Sequence, residues 1–278
     1  MIVPDRFENS RLLGSYVPFI TEEETEPLFS LEMAVGDFAE PDKLIQVFND
    51  EAPFLWIYEG WSFGFSFTTE RPAALLVFDR EDGRNVWTRG HITIRPKTVF
   101  SEADSAVSNA MMLMYAYNTG WHDTLMLHAS CPMKDGMGYV FLGKSGTGKS
   151  THSRMWMENI PEVELLNDDN PVVRVIDGKA IVYGTPWSGK TPCYKNKSVP
   201  LHGIVRIVRA PYNKANRLGM LQSYACLLPS CSCMKWDEEW VDRQHETVEK
   251  VISTVACWDM ECLPDADAAL TCYKAVSE

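Results

Sequence analysis

The run Gly143-Lys144-Ser145-Gly146-Thr147-Gly148-Lys149-Ser150 fits the pattern GxxxxGK[ST] in full. Its residue types define a chemistry. Glycines let successive backbone N–H groups turn inward around phosphate oxygens, the lysine carries a point charge to the β- and γ-phosphates, and the final hydroxyl can ligate Mg²⁺. A helix opening at Lys149 adds its positive end, so residues 143–150, with Thr151 next in the helix, are the candidate nucleotide contacts. Downstream, Asn167-Asp168-Asp169 offers two adjacent carboxylates. One can hold a metal or its waters and the other can take the proton of an acceptor hydroxyl. The bland alternative is a solvated Asp-Asp turn before Pro171.

A second stretch, Gly184-Thr-Pro-Trp-Ser-Gly189-Lys190-Thr191, fits the same pattern in the wrong context. Pro192 pushes Thr191 away from helical angles, and Pro186 removes an N–H donor. Residues 193–200 show no helical period, so 184–191 is expected as a turn after a strand. Lys190 keeps two readings, a contact to a phosphate or substrate carboxylate and a solvated lysine.

The elements that must position these groups can be read coarsely. Tyr139-Val-Phe-Leu142 predicts a strand before the loop, and Lys149 to Asn159 a helix closed by Pro161. Val163-Glu-Leu-Leu166 predicts a buried strand. A strand–helix–strand unit of this size is a right-handed crossover between parallel strands, which puts the loop and the Asp-Asp pair on one sheet edge. Leu125 to Ser130 predicts a further strand, turning at Lys134-Asp-Gly136. In that simple hairpin His128 falls at the end away from the loop. Val172–Ile176 and Ala180–Tyr183 form a hairpin, followed by a strand over 204–208, helices around 218–229 and 237–255, a strand over 260–263 and a closing helix over 265–276. Residues 1–100 are expected to be β-rich, with strands at 54–58, 61–67, 74–78 and 86–94. Their aromatics are expected to be packed sheet faces. Ser101 to Asp104 has the form of a capping box opening a helix that stops at Gly120. The fold class is thus α/β, a mixed sheet carrying the loop, divided as 1–100 and 101–278.

Composition narrows the partners. The 278 residues carry a net charge of −12, which disfavours nucleic acid and anionic membrane surfaces and leaves phosphate binding to a local device. No apolar run reaches the roughly 18–20 residues of a bilayer span. The opening Met1 to Glu8 has no apolar leader core, so a cytoplasmic protein is expected. The eight cysteines are expected as reduced, mostly buried thiols. Cys226, Cys231 and Cys233 lack a fourth ligand at zinc-site spacing, so no metal is expected there.

Taken together, Leu127-His128-Ala129 before a strand, Gly143 to Ser150, and Leu166-Asn-Asp-Asp169 after its helix resemble the core of HPr kinase/phosphorylase and, more distantly, ATP-dependent phosphoenolpyruvate carboxykinase. The runs at 165–169 and 184–189 are similar to uncharacterised HPr-kinase-related proteins. The resemblance implies a phosphoenolpyruvate-carboxykinase-like mixed sheet, with ATP and Mg²⁺ as cofactors and a hydroxyl of a small molecule or protein serine as acceptor. It also implies a possible homo-oligomer. Lys149 would act at the phosphates, Ser150 and Asp168 at the metal, and Asp169 as the base. His128 would match an active-site histidine, although a lone histidine on an apolar strand also reads as a core residue. Thr151 stands where the kinases have a glutamate, and 181–183 lacks their acidic metal residue. Lys144, Arg154, Lys190 and Arg206 are candidate charge stabilisers. A nucleotide-binding regulatory module without efficient phosphotransfer is the competing expectation.

Overall fold

The computed structural model describes residues 12–48, 52–189 and 191–277. The chain divides into two compact units between Asn118 and Thr119. In the first, β1 (Ser30–Val35), β2 (Leu44–Phe48), β3 (Phe54–Tyr58), β4 (Ser62–Ser66), β5 (Ala74–Glu81) and β6 (Arg84–Ile94) form a sheet in the order β1-β6-β5-β4-β3-β2. All neighbours are antiparallel except β1 and β6. The aromatics Trp56, Tyr58, Phe63 and Phe65 are buried sheet faces.

Helix α1 (Phe100–Gly120) spaces Ala103, Ala106, Val107, Ala110 and Met114 along one buried stripe. Gly90 lets it approach: a Cβ there would stand 2.6 Å from the Met114 sulfur. Most of α1 therefore belongs with the first sheet rather than with residues 101–278. The capping box is corrected. The helix opens at Phe100, the N–H groups of Glu102 and Ala103 bond Val99 O, and Asp104 accepts from the Leu13 N–H at 2.6 Å.

The second unit contains β7 (Thr124–Met126), β8 (Ala129–Lys134), β9 (Met137–Leu142), α2 (Lys149–Asn159), β10 (Glu164–Asp169), β11 (Val172–Ile176), β12 (Lys179–Tyr183) and β13 (Ser198–Arg209). It continues with β14 (Lys214–Arg217), α3 (Met220–Leu227), α4 (Glu238–Thr254), β15 (Ala256–Cys262) and α5 (Ala266–Ser277). The sheet is mixed, in the order β10-β8-β9-β13-β12-β11-β7, with β15 parallel to β13 and β14 on β15. Helices α2 and α5 pack around the fully buried Trp156 with Phe141, Met260 and Cys272. A separate core joins Val140, Leu166 and Ile204 to Leu227 of α3 and Val248 and Val251 of α4. Among the described residues no helix is long and apolar enough to cross a membrane.

Two expectations about this sheet are corrected. The apolar run 125–130 is two strands, not one. It breaks where the Leu127 N–H bonds Pro171 O at 3.0 Å and the His128 N–H bonds Ser230 O at 2.7 Å. The β8–β9 hairpin turns at Asp135 and Gly136, both at positive φ, and pairs Lys134 with Met137 and Ser130 with Phe141. His128 therefore lies at the loop end of the hairpin, with no bend of the sheet required. Strands β9 and β10 do run the same way, but β8 lies between them and is antiparallel to both. The shared edge survives because only strand direction, not adjacency, decides it.

Candidate functional site

Strand β9 delivers the chain into the loop, and the three loop glycines take backbone conformations that other residues avoid: φ is 149° at Gly143, 75° at Gly146 and 115° at Gly148. Gly148 hands over to α2, whose first closed turn is the His152 N–H to Gly148 O bond at 2.8 Å. The N–H groups ahead of that bond have no partner within the helix, which is the general basis of anion binding at this position. Thr147 closes the loop on itself, its N–H donating to Lys144 O at 3.1 Å and its hydroxyl to the same oxygen. Lys144, Ser145 and Gly146 form the exposed apex. Arg209, at the end of β13, donates to the carbonyls of Gly146 and Thr147. No spacing rule in the sequence links Arg209 to the loop.

Lys149 is buried and threads beneath the loop. Its Nζ donates to Gly143 O at 3.0 Å and to His128 Nε2 at 2.9 Å. An ammonium has three donors, so one N–H remains for a ligand. Burial pushes the Lys149 pKa down, while the Asp169 and Asp168 carboxylates push it back up. An ammonium can only donate, so His128 Nε2 must accept. The ring proton is then on Nδ1, which faces Asp169 Oδ1 at 3.1 Å. Asp169 Oδ2 accepts from Asn170 Nδ2 at 2.9 Å. The structure thus brings Lys149, His128 and Asp169 into one line, with Asn170, which the sequence did not single out, holding the far oxygen. Asp169 itself sits at φ 135°, a conformation that costs about 1–3 kcal/mol outside glycine.

Asp168 alternates to the other side and is 3% exposed. With Ser150, Thr151, Arg154, Leu165 and Thr191 it lines a cleft of about 180 Å³ between α2 and β10. A hydroxyl and a carboxylate facing one small cleft are oxygen donors of the kind Mg²⁺ takes, with water and phosphate completing its shell. Among the described residues no group of three or more histidine, cysteine or acidic side chains is placed to hold a metal. Ser150 and Asp168 would therefore hold Mg²⁺ only jointly with a bound phosphate.

Residues 184–189 of the second GxxxxGK[ST] stretch lie across the end of β10, and among the described residues 191–197 there is no helix. Buried Asn167 donates to Thr185 Oγ1 at 3.1 Å, Thr185 O at 3.3 Å and Trp187 O at 3.2 Å, and accepts from the Asn170 N–H at 3.0 Å. The Thr185 hydroxyl donates to Asn170 O at 2.8 Å. Ser188 bridges Asp169, and the Gly189 N–H donates to Asp168 O at 2.5 Å.

The remaining candidates scatter. Arg206 is committed to Asp259 through two bonds of 2.7 and 2.6 Å. Arg154 lines the cleft and pairs with Glu158 at 3.7 Å on the helix surface. Lys190 lies outside the described residues. Burial pushes the thiols of Cys226 and Cys257 up to about 12 and about 11, which makes them poor thiolates.

No protein-family model and no curated protein matches the chain. Among solved structures it is similar to the Hpr(Ser) kinase/phosphatase from Coxiella burnetii, at 12% identity and a TM-score of 0.31, over 55% of this chain and 93% of that one. A likeness of that size carries no weight for residues or reaction.

Proposed function

We propose that this protein is an ATP- and Mg²⁺-dependent kinase that transfers the γ-phosphoryl group to a hydroxyl, on a small molecule or a protein serine. The observation that carries it is the line from the phosphate loop through Lys149 and His128 to Asp169, with contacts of 2.9 and 3.1 Å. Loop N–H groups and the third Lys149 donor would stabilise charge on the transferring group. The metal, held by Ser150 and Asp168 together with the phosphates, would supply further charge neutralisation. Asp169 has about four acceptor directions, of which His128 and Asn170 use two, leaving room for the acceptor hydroxyl. The acceptor oxygen forms a bond to the γ-phosphorus as the bond to the β,γ-bridging oxygen breaks. The hydroxyl proton passes to Asp169, and ADP leaves.

Asp169→Asn keeps the shape and the Asn170 side of the contact but not the base. Nucleotide affinity is expected to stay within about threefold while turnover falls by about 10²–10³-fold. Equilibrium binding of a fluorescent nucleotide beside a labelled-phosphate transfer assay on hydroxylated metabolites measures both. Unimpaired transfer by Asp169→Asn would remove the assignment. The competing reading, a nucleotide-binding regulatory module, is favoured by the sparse metal set of Ser150 and Asp168. Nucleotide binding by the intact protein with neither transfer nor hydrolysis would decide for it.

A further inference from the structure

Among the described strands β10 is an edge of the second sheet with β8 as its one strand neighbour, yet it carries Asp169 at its end in a positive-φ conformation. Such a conformation persists only where its surroundings over-determine it. On the β8 side Asp169 pairs with Ala129. On the open side, residues 184–189 supply the second wall. Ser188 bridges Asp169, Gly189 donates to Asp168 O at 2.5 Å, and the Ser188 hydroxyl lies 3.0 Å from the same oxygen.

What fixes this strap is a buried polar knot. Asn167 is fully buried and Thr185 is 4% exposed. The Thr185 hydroxyl accepts from Asn167 Nδ2 at 3.1 Å and from the Trp187 N–H at 3.2 Å, and donates to Asn170 O at 2.8 Å. Asn170 is in turn the residue whose side chain holds Asp169 Oδ2 at 2.9 Å. One hydroxyl therefore ties the strap to the residues on both sides of the Asp-Asp pair.

We infer that residues 184–189 act as a strap whose knot of Asn167 and Thr185 presets the backbone of Asp169 and aims its carboxylate at His128. Asn167 and Thr185 are positioning residues that act through Asp169. The catalytic consequence rests on the kinase reading; the structural one does not.

The decisive pair is Thr185→Val, which keeps the shape and loses the hydroxyl, and Thr185→Ser, which keeps the hydroxyl. Thr185→Val is expected to lower kcat by about 10–10²-fold with nucleotide affinity within about threefold, since small misplacements of a reacting group cost that much. Thr185→Ser is expected to stay within about threefold of the parent. The second readout is the ¹⁵N spectrum of histidine-labelled protein. The parent should show His128 protonated at Nδ1, and that signature should be lost in Thr185→Val and kept in Thr185→Ser. Should Thr185→Val fail to fold by circular dichroism, Gly189→Ala replaces it, because its Cβ would stand 3.1 Å from the Asp169 Cβ and displace it directly. An unchanged kcat and unchanged His128 signal in the variant overturn the inference, as does a Thr185→Ser protein as impaired as Thr185→Val. If the parent transfers no phosphate, the kinase reading fails alone and the His128 spectrum still decides the strap.

Discussion

Between 143 and 150 the glycines sit at φ of 149°, 75° and 115°, and at Gly146 and Gly148 an added Cβ would meet nothing within 4 Å. Between 184 and 189 neither glycine has a positive φ, but a Cβ on Gly184 would stand 2.2 Å from Lys195 O, and one on Gly189 3.1 Å from the Asp169 Cβ. The first stretch needs glycine for conformation at all three positions, and at Gly143 for space as well, since a Cβ there would meet Thr147 Oγ1 at 2.6 Å; the second needs it for space alone. Only the first need turns N–H groups inward and opens a helix, so only the first has the form we propose as a phosphate cradle. A pattern that counts glycines and a lysine does not see this difference. The second stretch nevertheless serves the same site, as the outer wall of the strand that carries Asp168 and Asp169.

The largest expected effect comes from the lysine of the first stretch. Lys149→Met keeps much of the buried stem but removes the donor shared by Gly143 O and His128 Nε2. Transfer is expected to fall by about 10³-fold, about 4 kcal/mol of lost stabilisation, measured as kcat/KM for ATP. A loss below tenfold would mean that 143–150 does not carry the phosphates and would break the comparison at its root.

Next comes the glycine contrast. Gly184→Ala forces its Cβ against two backbone carbonyls, Lys195 O and Leu166 O, and is expected to cost about 3 kcal/mol of folding stability. Gly148→Ala has space and pays only for its φ, about 1–2 kcal/mol of stability, but is expected to weaken nucleotide binding more than tenfold. Chemical denaturation beside a nucleotide titration separates the two. Equal stability losses with equal binding losses would show that both stretches use glycine for one reason.

The loop, its helix and the shared edge were legible because each rests on local rules: residue types at fixed spacing, a proline after the helix, and the direction of a crossover. The expectation misplaced His128, although the turn was legible: with the chain reversing at 135–136, the pairing of Ser130 with Phe141 carries position 128 to the loop end whether or not the strand is continuous. What hydropathy hid is the break itself, since Leu125, Leu127 and Ala129 are all buried and the break is set by the distant partners Pro171 and Ser230. Asn170 and Thr185 read locally as turn residues, and their bonds to each other and to Asn167 span 3 to 18 positions. Strands β1 and β2 were missed for a similar reason. β1 is a half-exposed edge strand that pairs in parallel with β6, register Ser30 to Arg89, and no turn signal announces such a partner. Arg209 reaches the loop from 62 and 63 positions away.

The smallest effect concerns the helix that the first stretch opens and the second lacks. In α2, His152 is 4% exposed, packs edge-on to Phe141 at 4.8 Å, and its Nε2 has no hydrogen-bond partner among the described residues. Burial pushes its pKa from 6.5 down to about 4. A base depressed in the folded state binds its proton first in the unfolded chain. Between pH 6.5 and about 4 the unfolded state therefore holds more protons, and stability falls as pH falls across that window. Above pH 6.5 the group is neutral in both states and contributes no slope. At pH 5 the loss relative to pH 7 is about 2 kcal/mol, from about 1.4 kcal/mol for each unit between the two titrations. Denaturation midpoints of the parent and His152→Leu at pH 7 and pH 5 isolate this from the carboxylates, because the variant should lose that part of the pH dependence. Identical pH dependence in the two proteins would mean that His152 is hydrated or partnered in solution, and that the first turn of α2 is looser than the loop geometry requires.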